Sequence, residues 1–206
     1  MLDLAQLLTR AHVLPVLTVD RVEDALPLTQ ALIDGGLTAI EVTLRTPVAL
    51  EAIRIIRNAA LPIAVGAGTV LTGADLRAAA DAGAVFAVSP GATPELLAAG
   101  RADGAIPLIP GVATASDVMA AKLAGYSVLK FFPAEAMGGV ATLKGFAGPF
   151  GDIRFCPTGG IDAAKAPSYR ALPNVLCVGG SWMVPGDAIK AGDWARITDL
   201  TRAALA

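Results

Sequence analysis

At 206 residues, with 54% of them hydrophobic and only 17% charged, the chain is long enough to bury a full core and too apolar to stay disordered. A net charge of −2 and a pI near 5.3 leave no basic face for a nucleic acid, so an anionic substrate needs a local site. No run reaches the roughly 18 apolar residues of a membrane span; the uncharged stretch 61–74 is broken by Pro62, Gly66, Gly68 and Gly73.

In chain order, Leu2–Arg10 predicts a helix ahead of the first strand, placed to close the bottom of a barrel. With Asp3 early and no cleavage site it is a poor signal peptide, and a cytoplasmic protein is expected. Short apolar runs then begin near Val13, Ala39, Ile63, Val85, Ile106, Val128, Ile153 and Val175, between 21 and 26 residues apart. Between them lie amphipathic segments, among them 22–34, 47–58, 73–81, 94–101, 116–124 and 163–172. Asp20, Thr46, Thr72, Thr93 and Thr114 stand where helix N-caps belong, and Gly35, Gly83, Gly104 and Gly125 where helices stop.

Apolar strands alternating with helices imply a parallel sheet covered by helices. Eight such units in a chain of this length favour a closed (β/α)8 TIM barrel, with an extra N-terminal helix, over an open doubly wound sheet. The units share a pattern but little sequence, which argues against a solenoid. No linker or low-complexity segment interrupts residues 1–206, which are expected to form a single domain.

Chemistry in such a barrel sits at the C-terminal ends of the strands. That rule collects Glu41 and Arg45 from the second strand, Thr69 from the third and Ser89-Pro90 after the fourth. It adds Lys130 from the sixth, Thr158-Gly159-Gly160 after the seventh and Gly179-Gly180-Ser181 after the eighth. Lys130 stands in Val128-Leu129-Lys130-Phe131-Phe132-Pro133, while the other four lysines lie in polar stretches. Burying an unpaired ammonium costs several kcal/mol or drives off its proton. A neutral amine attacks carbonyls, so the placement suggests a Schiff-base nucleophile. The alternative is a strand-end lysine that snorkels to water or pairs with an acid.

Glu41 is the acid counterpart, the carboxylate inside an expected strand. Alternation places Glu41, Thr43 and Arg45 on one face. A proton-transfer partner for Lys130 and a purely structural ion pair are both open readings. The terminal Gly-Gly pairs suggest a phosphate cradle of bare backbone N–H groups from Gly159, Gly160 and Gly180, with the Ser181 hydroxyl added. Pro90 and Phe132 are expected to line the pocket. His12 precedes the first strand and belongs to the opposite end, Cys156 and Cys177 read as core residues, and a single histidine without a carboxylate cluster speaks against a metal site.

Glu41-Val-Thr-Leu-Arg45, Gly66-Ala-Gly-Thr-Val70, Val88-Ser-Pro-Gly91 and Ile106-Pro-Leu-Ile-Pro-Gly111 run in this order, one per unit. Lys130-Phe-Phe-Pro-Ala-Glu135, Arg154-Phe-Cys-Pro-Thr-Gly-Gly-Ile161 and Val178-Gly-Gly-Ser-Trp182 follow. Together these motifs resemble the 2-keto-3-deoxy-6-phosphogluconate (KDPG) aldolases over nearly the whole chain. The resemblance implies a class I aldolase without metal or cofactor, cleaving a phosphorylated keto acid to pyruvate and glyceraldehyde 3-phosphate, and frequently also cleaving 4-hydroxy-2-oxoglutarate. It implies Lys130 as the Schiff-base residue, Glu41 as acid and base, Arg45 and Thr69 as holders of the keto acid, Thr158 as an influence on aldehyde configuration, and a homotrimer. Two rivals fit the same residues: a phosphosugar isomerase or epimerase using Glu41 without a covalent lysine, and a metabolite-binding barrel without catalysis.

Overall fold

The computed structural model describes residues 2–206; Met1 lies outside the described residues. Its strand segments are β1 (Val13–Leu17), β2 (Ala39–Thr43), β3 (Ala64–Gly68), β4 (Phe86–Val88), β5 (Leu108–Ile109), β6 (Gly111–Val112), β7 (Val128–Phe131), β8 (Arg154–Pro157) and β9 (Val178–Gly180). The helices are α1 (Leu4–Ala11), α2 (Ala25–Asp34), α3 (Ala49–Asn58), α4 (Gly73–Asp81) and α5 (Pro94–Ala99), followed by α6 (Ala115–Leu123), α7 (Gly139–Ala147), α8 (Ala166–Arg170), α9 (Gly186–Ala191) and α10 (Trp194–Leu205).

All strand pairings are parallel. A six-stranded sheet runs β5-β4-β3-β2-β1-β9 and a three-stranded sheet runs β6-β7-β8. Only Pro110 separates β5 from β6, and isolated parallel bridges at Phe155–Val175 and Thr158–Gly179 join β8 to the segment that ends in β9. The result is an α/β fold whose parallel sheet curls as a half-barrel, with the chemistry-bearing strand β7 next to the Pro110 break. A proline lacks the N–H that continues a ladder, so it sits at a strand's start. Here its carbonyl accepts the Lys130 N–H at 2.9 Å.

Elements form where local chemistry favours them. Thr72 and Thr114 each close a capping box, accepting the N–H of Asp75 and Asp117 while those carboxylates accept the threonine N–H. Thr93 caps α5, with Pro94 in its first turn. Helix α3 buries Ala49, Ala52, Ile53 and Ile56, the three- and four-residue spacing of one helical face. Gly35 ends α2 and packs against Thr201 of α10, where a β-carbon would stand 2.4 Å from the threonine methyl.

Several expected boundaries are corrected. Thr46 caps no helix: its hydroxyl donates to Val19 O at 2.6 Å, and α3 starts at Ala49. Asp20 caps none either, because a 3-10 turn at Val22–Asp24 precedes α2. Gly104 lies beyond α5, which ends at Ala99 with Gly100 as its C-cap. The fifth strand begins at Leu108 after Pro107, and the last ladder begins at Val178.

Inside the curl, Leu14, Ala39, Phe86, Val88, Ile109, Cys156 and Cys177 form one buried cluster, against which Leu8 and Ala11 of α1 pack. Both cysteines are therefore core residues with their sulfurs 3.2 Å apart. The hydrogen bond to Cys156, burial and the nearby Glu41 charge push the Cys177 thiol well above its ordinary range.

Candidate active site

Lys130 is the third residue of the four-residue strand β7, and it is buried, with 4% of its surface exposed. The other four lysines are exposed or half-buried. Glu41, at the centre of β2, is 1% exposed, and its Oε1 lies 3.3 Å from Lys130 Nζ. This bond spans 89 residues of sequence, and it joins the two chemistry-bearing groups that the strand pattern singles out. Two buried opposite charges within hydrogen-bond distance compensate part of each other's desolvation. The Lys130 ammonium also lies 5.4 Å from the centre of the Phe132 ring, which shields it on one side.

The strand pattern around the pair explains its position. Lys130 is the Cα partner of Gly111 on one side and of Cys156 on the other. Gly111 admits the Pro90 backbone, whose carbonyl carbon lies 2.3 Å from where a β-carbon would be. Ser89 is fully buried and its Oγ accepts the Gly111 N–H at 3.2 Å, so the loop after β4 is tied to the strand beside Lys130. Thr43 is fully buried two residues beyond Glu41, and its hydroxyl donates to Leu17 O at 2.8 Å.

Arg45 does not continue the alternation of β2. The strand ends at Thr43 and Arg45 is exposed in the following turn. Its Nε nevertheless donates to Thr69 Oγ1 at 3.1 Å, so the two expected keto-acid ligands meet at the rim. Among the described residues Arg45 makes no hydrogen bond to Glu41 or Lys130. Thr69 holds a positive φ of 56°, a conformation that costs a β-branched residue roughly 1–2 kcal/mol.

Beyond β8, Thr158 is buried and its N–H donates to Phe131 O at 2.9 Å, beside the lysine. The Thr158–Gly179 bridge brings the two Gly-Gly loops side by side. Gly159 and Gly160 have φ of 104° and 77°, conformations open to glycine and costly for other residues. Gly159 also packs against Phe132 and Pro133, across a Phe132–Pro133 peptide that is cis. Gly180 is buried against the Trp182 ring, and Ser181 is exposed.

A polar network at this rim has no counterpart among the residues expected from sequence. Glu135 accepts a hydrogen bond from the Tyr169 hydroxyl and forms an ion pair at 3.0 Å with Lys165 Nζ, which also donates to Gly160 O at 2.8 Å. The Tyr169 bond first, then Lys165, hold the Glu135 carboxyl below the usual glutamate range. Burial and that same carboxylate push the Tyr169 phenol upward. The signal available in sequence was Glu135 closing the Lys130 motif.

A cavity of about 780 Å³ opens at the other end of the strands, lined in part by Leu4, Val85, Arg101, Leu108 and Tyr126. It contains none of the candidate residues, and its lining has no lysine or glutamate. His12 caps α1 at that end. Among the described residues, no three His, Cys, Asp or Glu side chains gather in a way that could hold a metal ion. No helix is long and apolar enough to cross a membrane.

The family model for KDPG and KHG aldolase matches residues 4–200. A 2-dehydro-3-deoxy-phosphogluconate aldolase of Pseudomonas aeruginosa is 52% identical over 195 residues, 95% of this chain and 88% of the relative. A KHG/KDPG aldolase of Escherichia coli is 51% identical over 97% of this chain and 93% of its own length. Among solved structures, KDPG aldolase from Legionella pneumophila, with pyruvate captured as a covalent carbinolamine, superposes with a TM-score of 0.94 at 48% identity. That match covers 97% of both chains. On the strength of the family match, and with the Lys130–Glu41 pair where it stands, the chain belongs to the KDPG and KHG aldolase family.

Proposed function

We propose that this chain is a class I aldolase that cleaves 2-dehydro-3-deoxy-6-phosphogluconate to pyruvate and glyceraldehyde 3-phosphate, and 4-hydroxy-2-oxoglutarate to pyruvate and glyoxylate. The observation that carries the reading is the buried Lys130–Glu41 pair at 3.3 Å. The carbinolamine held by the Legionella relative supports a covalent lysine. The eight units are read as one closed (β/α)8 barrel over residues 1–206, with α1 packed beneath it as an extra helix. A homotrimer, a cytoplasmic setting, no metal or cofactor, and no nucleic-acid or membrane partner complete the proposal.

The pair accounts for the whole proton inventory. Glu41 takes a proton from the Lys130 ammonium, and the freed lone pair attacks the C2 ketone. The bound nitrogen passes a proton to the C2 oxygen, and Glu41 then returns its own to the resulting hydroxyl, so that water departs and an iminium remains. The iminium is the electron sink that a plain ketone lacks. Glu41 then accepts the C4 hydroxyl proton, directly or through one water, as the C3–C4 bond breaks and its electrons form an enamine. Glyceraldehyde 3-phosphate leaves, C3 recovers the proton from Glu41, and water hydrolyses the iminium to pyruvate and the Lys130 ammonium.

Arg45 supplies a planar fork for the C1 carboxylate, with Thr69 beside it. Gly159, Gly160, Gly180 and Ser181 take the distal phosphate, and its binding orients the reacting carbon. Thr158, between lysine and phosphate loop, bears on which aldehyde configuration is accepted. Pro90 and Phe132 exclude water from the amine.

Borohydride reduction in the presence of pyruvate tests the reading. A stable adduct on Lys130 is expected. No adduct, under conditions that trap a control aldolase, would sink it in favour of an isomerase or a binding barrel. Comparing kcat/KM for the two keto acids then ranks the substrates.

A further inference from the structure

The loop after β8 is held from its outer side by groups that touch neither Lys130 nor Glu41. Gly159 O accepts the Glu135 N–H at 3.1 Å, and Gly160 O accepts Lys165 Nζ at 2.8 Å. Both carbonyls are thus committed to the Glu135 and Lys165 side. A trans peptide plane points its N–H opposite to its C=O. The Gly160 and Ile161 N–H groups therefore face away from that side, and neither donates to a protein acceptor among the described residues.

Lys165 is itself held in place. Its Nζ pairs with Glu135 Oε2 at 3.0 Å, and Glu135 is tied to the buried Tyr169 hydroxyl. Gly160 rests on the Glu135 stem, where a β-carbon would stand 2.8 Å from Glu135 Cβ and Cγ. A Gly-Gly segment left alone is conformationally loose, and ordering it on binding costs affinity. A carbonyl free to swing would also turn a negative dipole toward an incoming anion.

We propose that Lys165 is a positioning residue for the distal phosphate of the substrate, holding the Gly160 carbonyl outward so that the loop's N–H groups stay presented. The proposal rests on the phosphate-loop reading above and deepens it. Lys165 acts through Gly160 and takes no part in carbon–carbon cleavage. It sets the preference for the phosphorylated keto acid over its shorter counterpart, which ends in a carboxylate and carries no phosphate.

The test compares Lys165→Met with the wild type on 2-dehydro-3-deoxy-6-phosphogluconate and on 4-hydroxy-2-oxoglutarate, following pyruvate release. KM for the phosphorylated substrate is expected to rise about tenfold while kcat stays within about twofold. Both constants for 4-hydroxy-2-oxoglutarate are expected to hold. Lys165→Arg, which keeps a donor and a charge, is expected to restore most of the affinity. Inhibition by inorganic phosphate is expected to weaken in Lys165→Met to the same extent. An unchanged KM for the phosphorylated substrate, or an equal loss on both substrates, would overturn the proposal. Failure of the aldolase reading is separately visible: the wild type would then release no pyruvate from either keto acid.

Discussion

Gly68 lies directly against the carboxylate of Glu41: a β-carbon at position 68 would stand 2.0 Å from Glu41 Oε1 and 2.5 Å from its Cγ. The oxygen in question is the one that faces Lys130 Nζ. Gly68→Ala is therefore expected to displace Glu41 while leaving Lys130 in place. Displacement of a proton-transfer group by about 1 Å costs about a hundredfold in turnover. Steady-state kcat and the rate of borohydride trapping should both fall. Normal turnover would show that Glu41 does not need its present position.

Removing Lys130 should separate chemistry from binding. Lys130→Ala is expected to abolish cleavage and borohydride trapping while glyceraldehyde 3-phosphate still binds, as measured by calorimetry. The variant also leaves Glu41 buried without its cation, which costs about 3–5 kcal/mol. Adding Glu41→Gln should recover part of that loss in urea unfolding, because the remaining group is neutral. Additive losses in the double variant would refute the coupling.

Tyr169 offers a stability prediction with a pH signature. Tyr169→Phe removes a buried hydroxyl donor to Glu135 and is expected to cost about 1 kcal/mol in urea unfolding at neutral pH. The Glu135 carboxyl is held below its ordinary value of 4.5. Its contribution is complete above that value and is lost as pH falls through the lower folded pKa. The gap between wild type and Tyr169→Phe should therefore narrow as pH falls below that ordinary value. A gap that stays constant down to acid unfolding would assign the loss to packing alone.

The capping boxes give a local test. Thr114→Ala is expected to destabilise by about 1 kcal/mol, because its hydroxyl accepts the Asp117 N–H at the start of α6. The loss should appear in denaturant unfolding without a change in KM.

Much of this was legible in the sequence, for identifiable reasons. Continuous apolar runs located the strands because both faces of each strand are covered. Lys130 and Glu41 stood out because a charge in such a run has nowhere to go but inward. Thr72, Thr93 and Thr114 were recognisable as caps, since each serves a backbone N–H three residues away. Thr46 was misread for the converse reason: its hydroxyl goes to Val19, 27 residues back. Arg45 looked like a strand residue because alternation carries no mark of where a strand ends. The Glu135–Tyr169 bond spans 34 residues and two units, so no local pattern announces it. Lys165 lies in a polar stretch and its side chain is 43% exposed, so nothing local marks the carbonyl that it holds.

Pro110 bears on how faithfully the chain folds. The ladder to β7 opens on its carbonyl, so the bond that its absent N–H cannot make falls at the outer end of the ladder. Sliding β7 by two residues would break the bond from the Lys130 N–H to the Pro110 carbonyl. Sliding it by one would turn every side chain of β7 over and leave the amine facing the helices. A misaligned chain of that kind could be compact and still inert. The direction in which the Lys130 side chain faces thus depends on the register that β7 keeps against the short strand opening just after Pro110.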